Sequence, residues 1–420
     1  MSKGRICILC TESPNAMGGI PTIVRDLVRL YSSGGYEVHI CAGAPRQHIQ
    51  GYGNVHSFYL IRKLFPEFIW PLNLIFVALL TLYLIYLQKK HNFSVILPQD
   101  NYIEGLAGVI TGRLTCCPVV IMDHGVATNI SDKRWQEAWI DRHTGFIGRL
   151  VQPFFKIGVM FQPLIFQSVC NLADRFFFTG YELDEFYKKY KVDKRRIIKY
   201  EHLINHDFYS PLYDQNEIDA LKNRLGIPKE TFVINCTSRI SFEKGYRQIV
   251  AALNVLVNQV GQDITLAIAG DTGQVYTTRY TAEKERKVIL DYLEANNLMS
   301  NVLFLGLLDP KGIRDLNRVS DVHLYAGTMS CSFSLCVLEA MSCAVACIVT
   351  PVPRKQLDVI TPDIGWVVPP GESELMGKAL IDAYNCKDEL KYMGMRARQY
   401  VLEHNTYAVM RRTYEEAITF

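Results

Sequence analysis

In Ser238-Arg239-Ile240-Ser241-Phe242-Glu243-Lys244-Gly245, an arginine and a lysine stand five positions apart, between an apolar run and a helical pattern. Two such cations on a loop entering a helix can converge on one phosphate group. The guanidinium offers a bidentate fork, the ammonium a point charge, and the helix start adds backbone N–H donors. A second stretch, Met329-Ser330-Cys331-Ser332-Phe333-Ser334-Leu335-Cys336-Val337-Leu338-Glu339-Ala340-Met341, begins with small residues that allow close approach to the backbone. Glu339 then falls in an apolar helix start, where an unpaired carboxylate is costly to bury. A pair of sugar hydroxyls would be a suitable partner for it.

The elements that position these residues alternate. An apolar run at 5–10 leads into the glycine loop Met17-Gly18-Gly19-Ile20 and a helical pattern over 21–31. Further strands are expected at 36–42, 94–97, 119–122, 175–179 and 197–200. After a polar break at 206–219 the rhythm restarts, with strands at 232–236, 264–269, 302–305, 322–325 and 346–349, a helix at 246–259 and another opening at 339–342. Near-continuous apolar strands alternating with helices imply parallel sheets covered on both faces. Two such blocks imply two doubly wound α/β domains facing across a cleft, with ligands beyond the carboxyl ends of the strands.

Composition sets the outer limits. The 420 residues are 49% hydrophobic and 21% charged, which excludes a disordered or collagen-like chain. Residues 1–210 hold 23 Lys and Arg against 17 Asp and Glu, a net +6; the remainder hold 22 against 25, a net −3. That N-terminal excess suits an anionic surface or ligand and is too small for a nucleic-acid binder. Of twelve cysteines, Cys7, Cys10, Cys41, Cys236 and Cys347 lie in apolar runs and read as small hydrophobes. With no signal peptide ahead of the first strand, a reducing cytosol is the expected compartment.

Residues 68–87 contain no charged side chain, a length that could span a bilayer. Crossing there would split the N-terminal domain, so a buried or membrane-facing helix is expected. Residues 146–169 mix Phe, Leu, Ile and Met with basic neighbours, and Lys188, Lys189, Lys191, Lys194, Arg195 and Arg196 cluster beyond them. Apolar beside basic side chains suit an interfacial helix on anionic lipid.

Taken in order, these segments resemble glycosyltransferase family 4, the retaining sugar-nucleotide enzymes with the GT-B fold. Met17-Gly18-Gly19-Ile20 is similar to that family's first glycine loop, Asp123-His124-Gly125 to its strand-end histidine motif, and 238–245 to its diphosphate motif. Asn301-Val-Leu-Phe-Leu-Gly306, Asp321-Val322, Leu338-Glu339-Ala340-Met341 and Gly365-Trp-Val-Val-Pro-Pro-Gly371 continue the likeness. The resemblance implies that Arg239 and Lys244 neutralise the donor diphosphate and Glu339 holds the ribose hydroxyls. It implies backbone approach at Gly18 and Gly19, sugar contact by His124, and amides offered to phosphate by Ser334 and Leu335. Catalytic roles would fall to His124, Arg239 and Lys244, with no metal and no cofactor.

The sequence departs from the family at several positions. Cys331 stands where the Glu-x7-Glu motif has its first glutamate, an expected donor-sugar contact, and Ser334 replaces a glycine. His202-Leu203-Ile204-Asn205 replaces the linker motif, and Gln99 replaces a histidine. Other chemistries are unsupported: the sequence has no Asp-x-Asp triplet, phosphate-binding P-loop, dinucleotide fingerprint or Gly-x-Ser-x-Gly elbow, and its ten histidines show no zinc spacing.

The expectation is a cytoplasmic hexosyltransferase, peripheral on the inner face of a membrane. Residues 1–205 would bind a lipid-linked or polysaccharide acceptor, residues 206–403 a UDP- or GDP-sugar, and a helix over 404–418 would return to the first domain. The alternatives are a GT-B sugar-nucleotide epimerase or a non-catalytic sugar-nucleotide-binding subunit.

Overall fold

The structure is a computed structural model. It describes residues 2–49, 51–65, 70–124, 146–178, 182–261, 263–270, 279–328, 334–352 and 356–420. The chain divides into two compact units, one of Met1–Leu203 with Met410–Phe420, the other of Ile204–Val409.

The first unit holds β1 (Arg5–Cys10), β2 (Glu37–Ala42), β3 (Asn54–Ser57) and β4 (Val95–Pro98) in the parallel order β3-β2-β1-β4. A parallel bridge between Ile96 and Val119 leads on to β5 (Val120–Asp123), β6 (Arg175–Phe178) and β7 (Ile197–Lys199). β1 is a continuous apolar run because both its faces are covered; Ile6 to Leu9 are wholly buried.

Helix Leu72–His91 contains the long apolar stretch and has the length and composition of a membrane span. Its connections argue otherwise: β1, β2 and β3 precede it, β4 follows it, and β4 pairs directly with β1. It is the crossover helix of a single sheet. One stripe, Phe76, Val77, Leu80, Leu84 and Leu87, is buried, while Leu74, Ile75, Leu82 and Tyr86 are exposed. Helix Phe146–Leu172 also carries exposed apolar side chains, including Phe154, Met160 and Leu164. Trp70 stacks on its Phe161 with ring centroids 4.4 Å apart.

The second unit contains β8 (Phe232–Thr237), β9 (Ile264–Ala269), β10 (Val302–Gly306), β11 (Val322–Tyr325), β12 (Ala346–Val349) and β13 (Gly365–Val367). They form one parallel sheet in the order β10-β9-β8-β11-β12-β13. The order reverses between β8 and β11, which leaves a crevice beyond their carboxyl ends.

Several expected strand bounds shift by one residue, and three helix boundaries move further. The helix expected to open at 339 begins at Leu335, so Glu339 lies in its second turn. The helical pattern over 21–31 is part of helix Gly19–Ser33, with Pro21 in a first turn that tolerates it. The helix expected over 404–418 is instead Tyr407–Ile418; His404 ends helix Lys387–His404, and the Asn405 carbonyl between them accepts from Ile204 N at 2.9 Å.

Candidate functional site

In the second unit, the segment after β8 makes a short turn at Phe242–Lys244 and enters helix Tyr246–Val260 through Gly245. Gly245 has φ +69°, and a Cβ there would lie 2.0 Å from the Ala326 carbonyl oxygen. The residue must therefore be glycine for the β8 loop to press against the end of β11. Thr328 N donates to the Glu243 carbonyl at 2.9 Å and fastens the two strand ends further.

This packing places the cations. Lys244 Nζ sits 5.5 Å from the Tyr325 ring centroid. Tyr325 is the main influence holding the ammonium above the ordinary lysine range, against the opposing effects of burial and of Arg239. Arg239 remains 39% exposed and touches Glu243 only at 4.0 Å, so most of its fork is available. The Ser241 and Tyr325 hydroxyls at this crevice are buried with no partner among the described residues, and the Thr237 hydroxyl beside them reaches the Cys336 thiol. Sequence reasoning did not single them out; their position at the ends of β8 and β11 was the available signal.

After β11 comes helix Leu335–Ser342, with Ser334 extended at its N-cap. The Ser334 carbonyl accepts from Val337 N at 3.1 Å and Leu338 N at 3.2 Å. The N–H groups of Leu335 and Cys336, in the first turn, have no acceptor within the helix. Burial raises the Cys336 thiol most, Ser334 and Lys244 lower it, and Glu339 raises it. Ser334, Lys244 and Glu339 therefore share one neighbourhood around this thiol. Gln248 ties in the loop after β13, accepting from Gly371 N at 2.7 Å and donating to Pro369 O at 3.3 Å. Cys331 lies outside the described residues.

Gly18, Gly19 and His124 lie in the first unit. Gly18, at φ +147°, leads into helix Gly19–Ser33 and accepts from Thr22 N and Oγ1 at 3.1 and 2.9 Å. Arg25 braces this loop, donating to the carbonyls of Pro14 and Ala16 and to Thr22 Oγ1. His124 follows β5, with Nε2 3.1 Å from Gln99 Oε1. Gln99 spends its own amide N–H on Leu97 O at 3.3 Å, so its oxygen faces the ring and His124 Nε2 carries the proton. His124 Nδ1 is then an acceptor, shielded and without a partner among the described residues. Burial first, then His202, pushes His124 down to about 3, so the ring is neutral at neutral pH. Beside it, buried Asp123 accepts from Asn101 Nδ2 at 2.6 Å and the Tyr187 hydroxyl at 2.5 Å, contacts the sequence did not reveal.

The strand order, the β8 loop and the helix after β11 delimit the part of the chain that carries the decisive comparison. Residues 217–400 match the family model described as glycosyl transferases group 1. Most of the second unit thus matches a group 1 glycosyl transferase domain. A curated relative, N-acetyl-alpha-D-glucosaminyl L-malate synthase of Bacillus anthracis, is 27% identical over 192 residues, 46% of each chain. The match thus spans about half the length of that relative.

Solved structures extend the likeness to the whole chain. Anabaena HepE in complex with UDP and glucose has a TM-score of 0.74 at 15% identity, covering 99% of both chains. Sucrose-phosphate synthase from Thermosynechococcus elongatus has a TM-score of 0.72 at 16% identity, covering 99% of this chain and 98% of the other. A TarM variant from S. aureus, in complex with Fondaparinux, alpha-GlcNAc-glycerol and UDP, has a TM-score of 0.70 at 10% identity, covering 99% and 100%. At these identities the likeness establishes the fold, which is GT-B: two Rossmann-like α/β domains of parallel strands.

Proposed function

We propose that this protein is a retaining glycosyltransferase that moves a hexosyl group from a UDP- or GDP-sugar to a lipid-linked or polysaccharide acceptor. One observation carries the reading. Arg239, Lys244 and the helix bearing Glu339 all issue from the point where the strand order of the group 1 domain reverses. In this reading Arg239 and Lys244 balance the charge that develops on the leaving diphosphate, without need of a metal. The N–H groups that follow Ser334 add donors, and Glu339 accepts from the ribose hydroxyls. In the first unit, the acceptor atom Nδ1 of neutral His124 takes a hydrogen bond from a sugar hydroxyl. Gly18 and Gly19 allow close backbone approach. Positioning then supplies much of the acceleration. The UDP and glucose named for HepE, and the N-acetylglucosaminyl product named for the Bacillus enzyme, support a sugar-nucleotide donor.

The same reading places the protein on the cytoplasmic face of a membrane, held peripherally by its first unit. Supporting it are the exposed apolar side chains of helices Leu72–His91 and Phe146–Leu172, joined by the Trp70–Phe161 stack. Lys89, Lys90 and Lys156 are exposed on the same helices, and Lys63 is exposed on the preceding helix Tyr59–Leu64. Apolar side chains would enter the interface and lysines would meet anionic headgroups.

Donor and site are tested together by measuring hydrolysis or transfer across a panel of UDP- and GDP-sugars. Turnover of at least one donor, lost in Lys244→Ala, is expected. No turnover and no nucleotide-dependent stabilisation with any donor would refute the assignment. Attachment is tested by vesicle flotation. Binding should favour anionic over neutral vesicles and weaken with salt, because screening acts over about 10 Å at 0.1 M. Equal binding to both vesicle types, or none, would refute it.

A further inference from the structure

The sequence shows no zinc spacing, yet the fold of the first unit gathers three histidines. His39 lies on β2, His56 on the edge strand β3, and His91 at the carboxyl end of helix Leu72–His91. One ligand atom from each falls within 4.8 Å of the others. His39 and His56 are diagonal neighbours on one face of the paired strands, His56 standing opposite Cys41. Their rings stack nearly parallel, with centroids 5.3 Å apart and an interplanar angle of 3°. The His91 centroid lies 4.7 Å from His39 and 4.9 Å from His56.

We infer that His39, His56 and His91 form a binding site for a divalent cation of the zinc class, with Glu37 orienting His39. Three imidazole nitrogens are a borderline-soft donor set that suits zinc and excludes calcium and magnesium. The geometry around His39 is that of an oriented ligand. Its Nε2 donates to Glu37 Oε1 at 3.0 Å, which leaves Nδ1 as the lone-pair atom. That Nδ1 faces His56 Nε2 at 3.0 Å, close to the roughly 3.3 Å edge of a tetrahedron with zinc–nitrogen bonds of about 2.05 Å. Glu37 is itself held by Arg5 Nε at 2.9 Å and stays below the ordinary carboxylate range, chiefly through that bond.

The third ligand atom supplies an independent observation. His91 Nε2 is shielded from solvent and has no hydrogen-bond partner among the described residues. The backbone that carries the ring is held in place, since Arg5 Nη1 donates to the His91 carbonyl at 2.9 Å and Asn92 turns the chain at φ 51°. Burial is the main cause pushing His56 down to about 4 and His39 and His91 below the usual imidazole range, so all three are neutral ligands at neutral pH. Binding needs no net proton release. The His56 proton moves from Nε2 to Nδ1, and the cation replaces the His56–His39 hydrogen bond. The site joins β2, β3 and the crossover helix, and it takes no part in the transfer proposed above.

The test uses the full chain without an affinity tag, stripped with a chelator and titrated with Zn²⁺ against a competing chelator. One equivalent is expected to bind. His91→Gln and His56→Gln should each weaken binding by more than about 100-fold, and Glu37→Gln by about 10–100-fold. His48→Gln, at an exposed histidine elsewhere in the unit, should leave it unchanged. The melting temperature without metal reports whether each variant folds. Should the variants fail to fold, Co²⁺ added to the unaltered protein decides: visible d–d absorption without a thiolate charge-transfer band supports three imidazoles. No saturable binding, equal binding by folded His56→Gln and His91→Gln, or a thiolate band would overturn the proposal. The three rings would then be only a hydrogen-bonded stack.

Discussion

Gln99 fixes the tautomer of His124. The amide nitrogen of Gln99 is held at Leu97 O, so its oxygen accepts a hydrogen bond from His124 Nε2–H at 3.1 Å. His124 Nδ1 is thereby left as an acceptor, and burial keeps the ring neutral. Gln99→Leu removes the acceptor for Nε2–H and frees the ring to change tautomer. Nucleotide affinity should stay near wild type while turnover falls by about tenfold or more, a loss of roughly 1.4 kcal/mol in transition-state stabilisation. Long-range ¹H–¹⁵N correlation of the His124 ring checks the cause directly. A proton on Nε2 in the wild type is expected; one on Nδ1 would reverse the assignment.

Gly245→Ala tests the contact between the β8 loop and the end of β11. The new Cβ would strike the Ala326 carbonyl in a left-handed backbone. Loss of at least about 1 kcal/mol of stability is expected in urea unfolding, with weakened nucleotide binding because Lys244 shifts with its neighbour. Wild-type stability and affinity would show that the two strand ends are not pressed together as described.

Glu339→Gln keeps the shape of the side chain and removes its charge. If Glu339 accepts from ribose hydroxyls, affinity for a nucleoside diphosphate should fall several-fold, by about 1 kcal/mol. The deficit should shrink with a 2′,3′-dideoxyribose nucleotide, which lacks the donors. An equal deficit with both nucleotides would point to a role within the protein alone.

Buried histidines make the protein acid-sensitive, His202 and His323 among them. Burial pushes His202 down to about 4 and His323 down to about 3, from an ordinary 6.5. Because the folded values lie below the unfolded ones, the unfolded chain binds more protons throughout that window. Stability should thus be complete above pH 6.5 and fall as the pH drops toward 4, by roughly 1.4 kcal/mol per pH unit for each histidine. His323 also faces Asn235 Oδ1 at 2.5 Å, and His323→Gln retains a donor there without titrating. Urea midpoints across pH 4–7 should show a shallower decline in this variant; a parallel decline would remove His323 as a cause.

Strands β1, β9, β11 and β12 have the bounds read from the sequence, because a strand covered on both faces is written as a near-continuous apolar run, with Thr265 in β9 and His323 in β11 as polar interruptions. Helix ends were less legible. Leu335 and Cys336 look like loop residues until Ser334 is seen extended at the N-cap, and the break before Tyr407 is marked by the bond from Ile204 N to the Asn405 carbonyl and by Thr406 Oγ1, which accepts from Val409 N at 3.3 Å. The cations of 238–245 were legible as chemistry because they lie on one short loop. His39, His56 and His91 were not, since 17 and 35 residues separate neighbours in sequence that β2, β3 and the crossover helix bring together. Gln99 illustrates a further limit: it reads as a missing histidine in sequence, whereas its role depends on where its amide hydrogens go.

The central claim is that the loop after β8 holds the donor diphosphate. The most direct measurement is calorimetric titration of UDP and of GDP into the wild type, Arg239→Ala and Lys244→Ala. Each charge-assisted contact is worth about 1.5–3 kcal/mol, so each variant should bind the preferred nucleotide about tenfold or more weakly while retaining the wild-type melting temperature without ligand. Unchanged affinity in both folded variants would contradict the claim and move the diphosphate away from this loop.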